Sequence, residues 1–108
     1  KIKTKNERLD QQVHHVVLVW LTDEYKNQLP ALLKASQALA NIPGVMHLKA
    51  NTAIPSERAI VDDSFDLGVW MTFKSVSAMN NYLKHKKHQE FLKKHIHGKV
   101  HRVKAYDF

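Results

Sequence analysis

The sequence predicts an α+β fold, with four antiparallel strands and two helices in the order βαββαβ and both helices on one face of a single sheet. Three observations carry this. Four short stretches alternate their side chains at the strand period of two, and two stretches between them carry apolar residues at helical spacing. At 108 residues the chain is also the size of one domain, with a core large enough to stand without staples.

KIKTKNERLDQQ, residues 1 to 12, is charged and aperiodic and reads as a flexible N-terminal arm ahead of a domain over residues 13 to 108. In VHHVVLVWL, Val13, His15, Val17, Val19 and Leu21 share one face, and His14, Val16, Leu18 and Trp20 the other. Its β-branched content and two apolar faces predict a strand covered on both sides. Asn27 is placed to cap a helix with Pro30 in its first turn, where a missing N–H costs little. Leu29, Leu32, Leu33, Ser36 and Leu39 trace its stripe, and Ile42-Pro43-Gly44 ends it.

VMHLKANTA, from Val45, is a second strand, and IPSERAIVDDS after it has turn chemistry and no stripe, as a mobile surface loop would. FDLGVWMTF, residues 65 to 73, sets Phe65, Leu67, Val69, Met71 and Phe73 against Asp66, Gly68, Trp70 and Thr72 in a third strand. Ser75 or Ser77 caps a second helix through Val76, Met79, Tyr82 and Leu83, and a short helical turn through Phe91 and Leu92 follows. GKVHRVKAYDF closes the sheet, with His101, Val103, Ala105 and Asp107 opposite Arg102, Lys104, Tyr106 and Phe108.

Such a unit is ferredoxin-like, a four-stranded antiparallel sheet with helices on one face, and its other face is bare. That face holds Val16, Leu18, Trp20, Trp70, Tyr106 and Phe108, including both tryptophans of the chain. It is too large an apolar patch for a monomer. Two sheets packed face to face about a two-fold axis would cover it, so a homodimer forming a dimeric α/β barrel is expected.

Composition narrows the function. The absence of cysteine removes disulfides and thiolate chemistry, leaving histidine and carboxylates as metal ligands. No HExxH or similar pattern supports a metal site, and neither a metal nor a cofactor is expected. No apolar run approaches the roughly 18 residues of a membrane span. The first residue is Lys1 rather than Met, which is read as trimming or processing and leaves localisation open between cytoplasm and export. The net charge of +7 is concentrated at one end: residues 81 to 108 carry eight Lys/Arg against Glu90 and Asp107. Such a patch can draw anionic partners, but it lacks the interleaved stacking aromatics of a nucleic-acid face, because Tyr82 and Phe91 turn inward.

NYLKHKKHQEF, residues 81 to 91, sets His85 and His88 three apart on one helical face between Tyr82 and Phe91. The pair could hold a metal, share a proton or lie on a solvated surface. With VHHVVLVWL, NIPGV, the FDLGVWMTF strand and the terminal AYDF, this stretch resembles the stress-responsive dimeric α/β-barrel (Dabb) family over residues 13 to 108. Members commonly carry His-Pro-x-His where this chain has Lys86 in place of proline, with both histidines kept. The resemblance implies the dimeric barrel but no single function, since that fold serves cyclases, monooxygenases and proteins without assigned chemistry.

The family's olivetolic acid cyclase-like barrels close linear polyketides by aldol condensation. That resemblance implies His88 as base, Tyr82 assisting it and His15 lining the pocket. The strand register agrees, because His15, Val17 and Val19 share a face with Asp107 across the sheet. A small, largely apolar pocket is therefore expected, floored by His15, Val17 and Val19, gated by Tyr82, His88 and Phe91, and completed by His85 and Asp107. Its ligand would be a small carbonyl-bearing or aromatic compound. Two functions stay open: proton abstraction beside a carbonyl with His88 as base, or a non-catalytic stress or interaction protein whose basic end contacts anionic partners.

Overall fold

A computed structural model describes residues 11–108 of the chain, so most of the expected N-terminal arm lies outside the described residues. The β-branched run forms strand β1, Val13–Leu21, at the centre of the sheet. Strands β2, Val45–Asn51, β3, Leu67–Phe73, and β4, Val100–Asp107, complete it in the order β2-β3-β1-β4 with every pairing antiparallel. Helices α1, Leu29–Ala38, α2, Val76–Lys84, and α3, Lys86–Phe91, accompany this sheet, and a π-helical turn over Leu92–Ile96 continues α3. The core lies between the layers, where Val19, Leu67, Met71 and Phe73 of the sheet meet Leu32, Leu39, Met79 and Tyr82 of the helical layer.

Local signals explain most boundaries. The Ser75 hydroxyl accepts the Ala78 N–H at 3.1 Å and caps α2, which resolves the choice between two serines. The turn into β2 needs a left-handed residue and has Gly44 there, at φ 101°. Asn27, by contrast, is no cap. The chain enters α1 from a 3-10 helix, Asp23–Gln28, so the first α-helical N–H groups follow a backbone that is already turning. Pro30 keeps its expected place in the first turn.

Phe65 departs from the alternation. β3 starts two residues later than expected because Asp66 is drawn back to β1: its N–H donates to the Val19 carbonyl at 2.9 Å, and its carboxylate accepts the Leu21 N–H at 2.7 Å and Lys26 at 3.1 Å. The bend places Phe65 on the outer face, with its ring 3.2 Å from where a Cβ on Gly68 would sit. A side chain larger than hydrogen at 68 would have to displace that ring.

Trp20 is also covered within its own chain. It packs edge-on to Phe65 with centroids 6.4 Å apart, donates from Nε1 to Ser64 at 3.0 Å, and carries Arg102 over its ring at 4.6 Å. It therefore does not belong to the bare patch. What remains part-exposed on the outer face is Val16, Leu18 and Trp70, with Tyr106 at 47% and Phe108 at 56% exposure at the sheet edge. His14 stacks on Phe108 at 5.3 Å and accepts the Trp70 N–H at 3.2 Å, while His47 stacks on the same indole at 6.4 Å. An open trough of about 440 Å³ runs along this face between Val16, Trp70 and the residues 52–65.

Candidate functional site

Between the helices and the inner face of the sheet lies a cavity of about 70 Å³. Its floor is His15, Val17 and Val19, which the period of β1 places on one face, with Leu67, Val69 and Met71 beside them from β3. Tyr82, His88 and Phe91 close it from the helical side. The cavity brings together six of the expected residues. The other two take different places: His85 sits at the α3 N-cap, where its Nδ1 accepts the Lys87 N–H at 3.0 Å, and it does not line the cavity. Asp107 faces solvent on the edge strand and reaches the site only through the His15 ring.

His15 and Asp107 are cross-strand partners, and the carboxylate holds His15 Nδ1. That contact sets the tautomer and leaves Nε2 as the free nitrogen. On the opposite wall the Leu83 carbonyl accepts from His88 Nδ1 at 3.1 Å, so Nε2 of neutral His88 carries the lone pair. The short break after Lys84 makes this possible, because the chain turns at His85 and brings His88 back against the end of α2. Tyr82 packs between the two histidines, 4.7 Å from the His88 ring and 6.4 Å from His15, centroid to centroid.

Burial is the main cause that pulls the His88 pKa below its ordinary value, and the proximity of His15 adds to it, while the Leu83 carbonyl opposes both. His88 is thus kept neutral, the form a base requires. Burial pushes the Tyr82 phenol in the other direction, far above its usual range, so it stays a neutral O–H donor. The sign of the pH effect follows. A histidine whose folded pKa is depressed contributes stability that is full above its unfolded value of about 6.5 and is lost as pH falls through the folded one. Thermal unfolding followed from about pH 7.5 to about pH 5 should lose midpoint temperature on the acid side, and the loss should be smaller in His88→Gln. Identical slopes for the two proteins would contradict this environment for His88.

Two cavity residues carried no sign of function in their pattern. Ser36 and Leu39 enter from the apolar stripe of α1, and Ser36 is fully buried with its hydroxyl unpartnered among the described residues. The one available signal was a polar side chain in line with leucines. Outside the cavity, a shallow groove between α1 and α3 carries Lys87, Lys94 and Glu90, so much of the basic excess faces solvent near Phe91. His95 is half-buried against Phe91 at 5.6 Å rather than on open surface. Among the described residues no three histidine or acidic side chains converge on a metal position, and no helix is long and apolar enough to cross a membrane.

A four-stranded antiparallel sheet with its helices on one face, in the order βαββαβ, defines the ferredoxin-like class. Within it, the chain belongs to the stress-responsive A/B barrel domain family, whose model matches residues 13–108. Solved structures agree on the fold. A protein of Arabidopsis thaliana is 23% identical with a TM-score of 0.75, the match covering 89% of this chain and 92% of that one. A dimeric ferredoxin-like protein of unknown function from Thermobifida fusca is 18% identical with a TM-score of 0.72, covering 90% and 89%. A hydroxynitrile lyase from Passiflora edulis is 18% identical with a TM-score of 0.67, covering 92% and 93%. No curated protein sequence matches the chain.

Proposed function

We propose that the chain is a homodimeric α/β-barrel protein whose protomers each bind a small carbonyl-bearing compound and rearrange it by proton transfer without a cofactor. The observation that carries this reading is the pairing at the cavity wall: a neutral His88 with Nδ1 anchored on Leu83 and Nε2 free, packed against a neutral Tyr82 in apolar surroundings. In the step inferred, His88 Nε2 takes a proton from the carbon beside the carbonyl. The C–H electron pair becomes part of a C=C bond, and the carbonyl π pair moves to oxygen. The Tyr82 O–H donates to that oxygen as charge develops on it. The enolate then regains a proton at a different carbon, or attacks a second carbonyl of the same molecule and closes a ring. His88, now protonated at Nε2, returns that proton, and His15, oriented by Asp107, lines the facing part of the cavity.

That a hydroxynitrile lyase shares the fold supports an enzymatic reading, and the dimeric Thermobifida fusca protein supports a pairing of two protomers. Deuterium uptake tests the chemistry directly. Small ketones incubated with the protein in D2O should exchange the hydrogens beside the carbonyl faster than in buffer, read by proton NMR. Exchange at the buffer rate across a panel of such ketones would end the proposal. The exposed lysines of residues 84 to 94 favour a second reading, in which the protein binds anionic partners without chemistry. Binding of that kind would weaken steeply with salt, whereas occupancy of a mostly apolar cavity would not.

A further inference from the structure

Ser36 is the feature that the reaction inferred above leaves unused. It lines the same cavity from α1, on a different helix from Tyr82 and His88, and none of its surface reaches solvent. Its Oγ is buried with no hydrogen-bond partner, and it alone has that standing among the buried side-chain polar atoms of the described residues. A helical serine ordinarily satisfies itself on the carbonyl one turn back, or else is replaced by alanine at no cost to the helix. A buried hydroxyl kept without a partner is unfavourable, and it requires an explanation.

We propose that Ser36 is a ligand-binding residue and that the cavity takes a small hydroxycarbonyl compound, with its carbonyl at Tyr82 and His88 and its hydroxyl on Ser36. The inference rests on the proposed function for the first contact and adds the second. The space supports it. A water needs on the order of 10–15 Å³ of such volume, so a cavity of about 70 Å³ has room for roughly five to seven water-sized groups. That is enough for a short carbon chain with two oxygens. The remaining lining is mostly apolar, including Val17, Val19, Leu67 and Met71, so a second oxygen of the ligand would find its partner in Ser36.

Two ketones of equal size separate the possibilities. 3-Hydroxy-2-butanone and 3-methyl-2-butanone have the same number of non-hydrogen atoms and differ by a hydroxyl against a methyl. Each is titrated into the full chain, with the His88 and Tyr82 ring signals followed by NMR. The wild type should bind the hydroxyketone about tenfold more tightly, the worth of one well-made hydrogen bond. Ser36→Ala should invert that order and keep the methyl ketone, because a ligand hydroxyl would then be buried alone. Ser36→Cys, similar in size and a weak donor, should lose most of the preference and covers the case of an unstable alanine variant. Equal binding of both ketones by the wild type would overturn the role of Ser36 and leave the cavity reading intact. A preference that survives in Ser36→Ala would do the same. Failure of both ketones to shift either ring at saturating concentration would overturn both readings.

Discussion

If the proposed dimer pairs through the outer face, Trp70→Lys should give monomers or aggregate, measured by light scattering coupled to size exclusion. Trp70 sits on the outer face of β3, flanked by His14 and His47, above a trough that nothing in the protomer covers. A second sheet laid on that face would remove the indole from water. Lysine there would strand an ammonium group in a dry interface, at an effective cost of several kcal/mol per ion and once in each protomer. Two such costs are comparable with the roughly 8 kcal/mol that holds a micromolar dimer together. The core should survive, since Trp70 points away from Leu67, Val69 and Met71. A dimer of unchanged mass would mean that pairing uses another surface, and the exposed edge strand β4 would be the next candidate.

On the proposed chemistry, His88→Gln should abolish ketone exchange without changing the oligomeric state. Glutamine keeps a hydrogen-bonding side chain of similar reach, able to donate to the Leu83 carbonyl, but it cannot accept and release a proton near neutral pH. General-base catalysis contributes on the order of 10² to 10⁴ in rate, so exchange should fall to the buffer value. Phe91→Leu changes only the wall of the same cavity and should alter the affinity for ketone by at most about tenfold, with the rate at saturation nearly kept. If His88 served the fold alone, His88→Gln would instead cost about 1–3 kcal/mol of stability through an imperfectly replaced bond. Full exchange in folded His88→Gln protein would remove His88 from the chemistry.

The contrast between these two sites shows what could be read along the chain. The strands were legible because a period of two survives in any environment, and β1 and β4 lie where their alternation predicts. The facing of His15 toward Asp107 followed from that period and the antiparallel order, as did the shared floor of His15, Val17 and Val19. The grouping of Tyr82 and His88 was legible only through the family resemblance, since a spacing of six would set them on different sides of one continuous helix. None of this required knowing how the layers pack.

Packing decided the rest. Phe65 obeys the alternation in the sequence and breaks it in the fold, because two backbone bonds and a lysine draw Asp66 to β1 and turn the preceding residue over Gly68. That turn, with Ser64 and Arg102, removes Trp20 from the bare face, so one tryptophan and not two is left for a partner. His85 stands three residues from His88 and its capping of the loop could be read from the sequence, but only the chain break between α2 and α3 makes it a cap outside the cavity and His88 a cavity wall. Ser36 reads as one polar residue in a leucine stripe. Whether its hydroxyl finds a partner depends on what the facing strand and helices present to it, and hydrogen-bond satisfaction of a buried group is a property of neighbours distant in sequence. Within the strands periodicity determined which face a residue takes, and only the assembled layers determined where a strand begins, as at Phe65, and which of those residues meet.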